Sequence, residues 1–358
     1  MIEIKRNGQV LQAAFNIVVG FCLIVGCSNL AAKQAATGQQ HSGYVSYQIG
    51  DISARTTGKT AAGLMLMGGA REVDAAFAWL VANAGHGHIV ILRASGDDEL
   101  QNYFFHTIGN VASVQTLIFH NRKASSDPAV LDIVRHADGI FIAGGDQANY
   151  VRFWKDTPLN ALIDAHVRAG KPIGGTSAGL AILGAYAYGA MDGGSMVSPD
   201  AMNDPLGKGM TLVNGFLHMP YLQHVITDSH FSARKRLGRL IAFIAKLRHE
   251  GHVDAVGIGV DENTALCIDS RGIGRVFTGS GGFAWLVIPN APPARIEDGK
   301  PLRYQNVGLT GIGTQSRIDM HDLRVDRPAF RAMADVDGGK LRVRGNIPQT
   351  AVLPHQGR

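Results

Sequence analysis

Short apolar runs alternate with longer segments of helical periodicity from about residue 61 onward, and this alternation constrains the fold more than any other feature. The apolar runs cover residues 63–67, 88–92, 114–119 and 139–143, lengths that are typical of buried strands. A strand, a helix and a second strand in the same sheet are joined by a right-handed crossover, which makes the strands parallel. The sequence therefore predicts an α/β fold with a mostly parallel sheet and helices on both faces.

The second half of the chain has a different pattern. A loop-like insertion rich in Gly and Pro covers residues 191–209, and a basic amphipathic helix is predicted over 232–249. Residues 255–287 contain apolar runs that are typical of antiparallel strands, which predicts a C-terminal β-rich extension. We assign one folded domain to residues 61–325, and the polar segment 326–358 is predicted to be peripheral or disordered.

The N-terminus has the features of an export signal. A basic pair precedes an apolar stretch, residues 17–26, which is too short to cross a bilayer and typical of a signal-peptide core. This stretch ends in IVG followed by Cys27, which resembles a bacterial lipobox. We therefore expect residues 1–26 to be a lipoprotein signal and residues 27–60 a flexible tether, with the exported protein anchored to the cell envelope by a lipid on Cys27. The alternative is a plain signal peptide in which the cysteine has no role.

A G-x-S-x-G pattern, residues 175–179, places Ser177 between two glycines after a short apolar run. A serine on a sharp strand-to-helix turn is exposed for attack on a carbonyl group, which makes Ser177 the candidate nucleophile. The N–H of Ala178, together with that of Gly145 in an earlier Gly-Gly turn, is a candidate oxyanion donor. The alternative interpretation is a glycine-rich turn that only begins a buried helix.

A serine nucleophile needs a base, and histidine is the usual one. Among 14 histidines, His230 stands out because it precedes the basic helix in the run TDSHFS. The alternatives are His86, His88, His120, His136, His218 and His224. No metal site or other cofactor is predicted, since the chain lacks HExxH and CxxC motifs. Nucleic-acid binding is not predicted either, because the net charge of +5 is dispersed along the chain.

Four motifs occur in one order along the chain: FIAGGDQ, GGTSAGLAILG, DSHFSARKRLGRL and GIGVDENTAL. Together they resemble the cyanophycinase branch of the serine peptidases, peptidase family S51, over roughly residues 61–289. The resemblance implies a flavodoxin-like fold related to that of class I glutamine amidotransferases, with serine in place of their cysteine. Cyanophycinases release β-Asp-Arg dipeptides from cyanophycin, a poly-aspartate backbone whose side chains carry arginine.

The resemblance also implies roles for individual residues. Ser177 matches the family's nucleophile, and His230 matches its base. The residues that match the family's substrate pocket are Gln147, Asp228, Arg234, Arg236 and Arg239. The resemblance also leads us to expect a homodimer, because members of the family are often dimers.

Two positions depart from the family pattern. Ser229 stands where the family has a glutamine, and the shorter side chain is expected to alter the pocket. The family's acid is a glutamate shortly after the nucleophile, but the chain has no glutamate between residues 177 and 248. Asp192 is the acid favoured by position, and Glu262 is the other candidate.

The predicted function is that of a serine exopeptidase that hydrolyses β-aspartyl-arginine polymer or related isoaspartyl peptides through a Ser-His-acid triad. The expected partners are a peptide substrate with Asp and Arg groups and, through the lipid, a membrane. One alternative is an α-aspartyl dipeptidase, against which the motif from Asp228 to Arg239 argues. The other is a non-catalytic envelope lipoprotein, which the missing glutamate and Ser229 would support.

Overall fold

The computed structural model, which describes residues 38–56 and 58–347, contains two large β-sheets. The strands, in chain order, are β1 (Gln39–His41), β2 (Tyr44–Gly50), β3 (Gly63–Met67), β4 (His88–Arg93), β5 (Ser113–Phe119), β6 (Gly139–Ile142), β7 (Ile173–Thr176), β8 (Tyr186–Tyr188), β9 (Leu212–Asn214), β10 (Val225–Asp228), β11 (Val256–Val260), β12 (Thr264–Asp269), β13 (Ile273–Thr278), β14 (Ala284–Pro289), β15 (Tyr304–Ile312), β16 (Arg317–Asp319), β17 (Arg324–Asp326), β18 (Phe330–Asp337) and β19 (Lys340–Arg344). The α-helices are α1 (Asp74–Asn83), α2 (Glu99–Asn102), α3 (Pro128–His136), α4 (Gln147–Trp154), α5 (Pro158–Arg168), α6 (Ala178–Ala181), α7 (Ser198–Asn203) and α8 (Leu237–His249), and Tyr103–Ile108 and Arg122–Ser126 form short π and 3₁₀ turns.

The first sheet has a parallel centre with the strand order β5-β4-β6-β7-β3. Strands β4 to β7 follow the flavodoxin order, and β3 takes the place of the fifth strand of that fold. Antiparallel strands flank this centre, with β2 and β1 on one side and β12, β13, β16 and β17 on the other. The predicted α/β class with a mostly parallel, flavodoxin-like sheet is confirmed.

The parallel strands are apolar throughout because both faces of the sheet are covered. All five residues of β3 are buried. Leu64 and Leu66 pack into a core that includes residues of α3 and α5, whereas Met65 and Met67 pack into a second core with α1. Successive side chains of a strand point to opposite faces, so this division shows helices on both sides of the sheet.

The second sheet has the order β19-β18-β15-β14-β11-β10-β8-β9. Strands β8, β10 and β11 are parallel to one another, and β14, β15, β18 and β19 continue the sheet in antiparallel fashion. The predicted β-rich extension is therefore found, but its first strand, β11, pairs in parallel with β10. This parallel pair brings the ends of β10 and β11 to the same edge of the sheet.

The structure corrects two predicted segment boundaries. The segment 27–60, expected to be a tether, includes β2, which pairs with β5 over seven residues. The segment 326–358, expected to be peripheral, includes β18 and β19, which pair within the second sheet. In β18, Phe330, Ala332, Ala334 and Val336 alternate with more exposed residues and are buried. Small apolar residues in alternation give a weak hydrophobic signal, although they fill one face of a strand.

The predicted signal, residues 1–26, and the predicted lipidation site Cys27 lie outside the described residues. Within 38–56 and 58–347, no helix has both the length and the hydropathy that crossing a bilayer requires.

Candidate active site

Three candidate catalytic residues follow the carboxyl ends of strands. Ser177 comes directly after β7, His230 follows β10 and Glu262 follows β11. The end of β3 joins these segments, since the N–H of Ser177 donates to the carbonyl of Met67 at 3.1 Å and the N–H of His230 to the carbonyl of Gly68 at 2.7 Å. The site therefore forms where strand ends of the two sheets meet.

The backbone at Ser177 has φ 55° and ψ −115°, a conformation that a residue with a side chain seldom adopts. Gly175 and Gly179 lie two residues before and after Ser177, and neighbouring atoms leave no room for a side chain at either position. A Cβ on Gly175 would lie 2.7 Å from the carbonyl carbon of Gly179, and a Cβ on Gly179 would lie 2.1 Å from the oxygen of Ile142. The G-x-S-x-G pattern thus follows from a tight turn that presents the serine side chain.

The side chains of Ser177, His230 and Glu262 form one hydrogen-bonded line. Ser177 Oγ lies 2.8 Å from His230 Nε2, and His230 Nδ1 lies 2.6 Å from Glu262 Oε1. A carboxylate accepts only, so Nδ1 carries the proton and donates to Glu262 in the neutral ring. Nε2 is then the acceptor for the Ser177 hydroxyl, which is the arrangement that a base needs to activate a serine.

Glu262, rather than Asp192, occupies the position beside His230 Nδ1, and this corrects the preference for Asp192. Asp192 is exposed on the segment between β8 and α7. Glu262 reaches His230 because β10 and β11 are parallel neighbours, with Asp228 opposite Gly259. The sequence indicated Glu262 as a candidate through the motif GIGVDENTAL, in which this glutamate follows an apolar strand.

Burial lowers the pKa of His230 below its ordinary value, and the charges of Arg234 and Arg236 act in the same direction. The hydrogen bond and the negative charge of Glu262 oppose this shift. The His230 side chain is 8% exposed. The imidazole is therefore neutral near pH 7 and able to accept a proton.

A cavity of about 490 Å³ opens at Ser177. The predicted site residues that line it are Gly145, Gln147, Ala178, Arg234 and Arg236. Ala178 is the first residue of α6, so its N–H has no partner within the helix and is free to donate to an oxyanion. Ser229 and Ser195 also line the cavity, as do Asp146 and Arg152, two charged residues that sequence reasoning did not single out.

Asp228 and Arg239, predicted to bind substrate, are buried and do not line the cavity. Arg239 Nε donates to Asp228 Oδ2 at 2.7 Å, and Arg239 Nη2 donates to Asp228 Oδ1. Arg239 Nη1 donates to Ser195 Oγ at 2.8 Å, and Ser195 does line the cavity. Two buried opposite charges stabilise each other here, so this pair supports the cavity wall instead of contacting a substrate.

Ser229, which stands where the family has a glutamine, is bound by an arginine of the cavity. Arg236 Nη1 donates to the Ser229 carbonyl at 2.8 Å and lies 3.2 Å from its Oγ. Arg236 Nη1 also lies 3.3 Å from Asp228 Oδ1. Burial lowers the pKa of Arg236 to about 10, with Asp228 opposing the shift, so this guanidinium is charged at neutral pH.

Among the residues that the structure describes, no group of His, Cys, Asp and Glu side chains is arranged to hold a metal ion. Cys267 is buried in β12, and burial raises the pKa of its thiol, which makes it an inert core residue. The site thus contains a candidate nucleophile, a candidate base with its carboxylate and candidate oxyanion donors.

Comparison with known proteins shows several relatives of this chain. The model of peptidase family S51 matches residues 98–276. A cyanophycinase of Trichormus variabilis is 27% identical over 290 residues, which cover 78% of this chain and 87% of that protein. A cyanophycinase of Synechococcus elongatus is 31% identical over 228 residues, covering 62% and 65% of the two chains. The crystal structure of a peptidase from an acI-B1 actinobacterium aligns with a TM-score of 0.48 and 18% identity, over 73% of this chain and 98% of that one.

Proposed function

We propose that this chain hydrolyses β-aspartyl-arginine polymer or related isoaspartyl peptides with a Ser177-His230-Glu262 triad. The chain belongs to peptidase family S51 and is a serine exopeptidase. The observation that carries the proposal is the continuous line from Ser177 Oγ through the imidazole to Glu262 Oε1, with distances of 2.8 and 2.6 Å. The lack of a glutamate shortly after Ser177 supported the non-catalytic alternative. In the structure, Glu262 occupies the position of this acid beside His230.

The reaction is an acyl transfer in two steps. Ser177 Oγ attacks the scissile carbonyl carbon while its proton passes to His230 Nε2, and Glu262 stabilises the imidazolium that forms. The N–H groups of Gly145 and Ala178 are the proposed donors to the oxyanion. The imidazolium then protonates the leaving amine, and water attacks the acyl-enzyme with His230 again acting as the base.

The composition of the cavity supports a substrate with carboxylates. Gln147, Arg234 and Arg236 line it near the triad, and a guanidinium binds a carboxylate through two parallel hydrogen bonds. The relatives named cyanophycinase support a β-aspartyl linkage.

The test is incubation of the purified protein with cyanophycin and with α- and β-linked Asp-Arg peptides, with products identified by mass. The wild-type protein is expected to release β-Asp-Arg, whereas Ser177→Ala remains folded and releases none. Ser280→Ala is the matched control, because Ser280 is exposed and is not among the residues that line the cavity. Release by Ser177→Ala at the wild-type rate contradicts the mechanism, and cleavage of the α-linked peptide alone favours the α-aspartyl dipeptidase.

We also propose that the exported protein is lipid-anchored at Cys27, on the strength of the IVGC sequence after the apolar stretch. Cys27→Ala is expected to prevent lipid attachment and processing, whereas globomycin is expected to block removal of the signal. Fractionation of cells followed by detection of the protein tests this, and recovery of the untreated wild-type protein only in the soluble fraction contradicts it.

A further inference from the structure

Arg152 is an arginine of the active-site cavity that the proposed mechanism does not use. It lies on α4, is exposed, and lines the same cavity as Ser177. Its Nη2 donates to the carbonyl of Met191 at 3.2 Å, so the guanidinium is hydrogen-bonded to the segment after β8. Because a guanidinium has five N–H donors, this single bond leaves donors for a ligand.

The charged residues that line the cavity are three arginines and one aspartate: Arg152, Arg234, Arg236 and Asp146. Within residues 38–56 and 58–347, Arg152 and Arg234 have no carboxylate at ion-pair distance, whereas Arg236 shares Asp228 with Arg239. The cavity is therefore cationic, and two of its guanidinium groups are not neutralised by the described part of the chain.

A substrate guanidinium has few partners in this cavity. Asp228 is 2% exposed and is already bound by two arginines. Asp146 caps α4, and its Oδ1 accepts from the N–H of Ala148 at 2.9 Å. A substrate carboxylate, in contrast, would meet uncompensated guanidinium groups close to the nucleophile, where charge-assisted hydrogen bonds are strong.

We infer that Arg152 is a specificity-determining residue, which binds a side-chain carboxylate of the residue linked to the β-aspartyl group and makes the site prefer acidic isoaspartyl peptides over those that carry arginine. The inference rests on the proposed function, because it takes Ser177-dependent hydrolysis of isoaspartyl peptides as given. The bond to Met191 holds one edge of the guanidinium against the cavity wall, which orients the remaining donors and reduces the entropy lost on binding.

The experiment uses three matched oligomers of β-Asp-X, in which X is Glu, Gln or Arg. The wild-type protein is expected to show a KM about tenfold lower for the Glu oligomer than for the Arg oligomer, since tenfold corresponds to one modest charge-assisted contact. Arg152→Gln is expected to raise the KM of the Glu oligomer about tenfold with little change in kcat, and to leave the Gln oligomer nearly unaffected. Arg152→Glu is expected to reverse the preference between the Glu and Arg oligomers.

Two controls make the outcomes distinct. Arg135→Gln removes an arginine that pairs with Asp132 and is not among the residues that line the cavity, and it is expected to leave all three KM values unchanged. Binding of the Glu oligomer to Ser177→Ala, with and without Arg152→Gln, measures affinity without turnover.

Each result then has a defined meaning. If no oligomer is hydrolysed in a Ser177-dependent manner, the proposed function fails and the inference fails with it. If the oligomers are hydrolysed but the wild-type protein does not prefer the Glu oligomer, or Arg152→Gln changes all three KM values equally or not at all, only the inference is overturned.

Discussion

The carboxylate of Glu262 lies 2.6 Å from Nδ1 of His230, although 32 residues separate the two in the sequence. The contact depends on the parallel pairing of β10 with β11, which brings the ends of both strands to one edge of the second sheet. The hydrogen bond to Glu262 therefore favours the tautomer in which Nε2 is free to accept a proton, as the proposed mechanism requires.

Replacement of Glu262 by glutamine is expected to lower kcat about 10³- to 10⁴-fold, because the amide no longer holds the productive tautomer or stabilises the imidazolium. Steady-state kinetics with β-Asp-Arg substrate checks this. The matched control is Asp192→Asn, which changes an exposed carboxylate and is expected to retain wild-type kcat. Loss of activity in the control together with its retention in Glu262→Gln would restore Asp192 as the acid.

The pH dependence of kcat/KM is expected to reflect the lowered pKa of His230. The base must be neutral to accept a proton. Burial lowers the pKa of His230 below 6.5, the ordinary value for histidine, so the acid limb of the profile is expected below pH 6.5. Glu262→Gln removes the negative charge and the charge-assisted hydrogen bond that raise the pKa of His230, and its residual activity should therefore show an acid limb at still lower pH. Profiles of both proteins test the sign, and an acid limb above pH 6.5 in the wild type is incompatible with the buried imidazole as base.

Gly69→Ala is expected to abolish most activity, because a Cβ at Gly69 would lie 2.5 Å from His230 Cε1. Gly251→Ala provides a close control: the φ values of the two glycines are 103° and 98°, and no atom lies within 4 Å of a Cβ at Gly251. Both variants incur a similar backbone cost, on the order of 1–2 kcal/mol. The comparison of their kcat/KM values and unfolding free energies therefore isolates the displacement of the imidazole, and equal activity in both would show that His230 moves without penalty.

Asp228→Asn is expected to lower the free energy of unfolding by about 3–5 kcal/mol, because it leaves Arg239 buried without its ion-pair partner. Asp337→Asn, which breaks an exposed pair with Arg303, is expected to cost less than about 1 kcal/mol. Urea denaturation of both variants measures the difference. A small effect in Asp228→Asn would return Asp228 to the group of residues that contact the substrate.

The parallel strands and the Ser177 turn could be predicted because their signals are local. An apolar run followed by Gly-Gly, or a serine between two glycines, is complete within a few residues. Glu262 could only be a candidate, since its contact with His230 arises from the pairing of strands, which residue spacing does not encode.

The buried pair of Asp228 and Arg239 could not be assigned from sequence for a related reason. Charged residues are seldom buried unless they are paired, and the sequence does not show whether a partner reaches them. Strand β18 was missed because its apolar face includes small residues, Ala332 and Ala334, which carry little hydrophobic signal. Strand β19 was missed because it has only two apolar residues, which alternate with basic ones.

The left-handed backbone at Ser177 also occurs at His230, with φ values of 55° and 45°. Each conformation costs on the order of 1–2 kcal/mol in a residue with a side chain, so glycine at either position would relieve strain. A search for thermostable variants that screened for folding alone would therefore favour changes at the two residues proposed to react. The strain at this pair of residues is thus a stability–activity trade-off, and engineering for stability should hold both positions fixed.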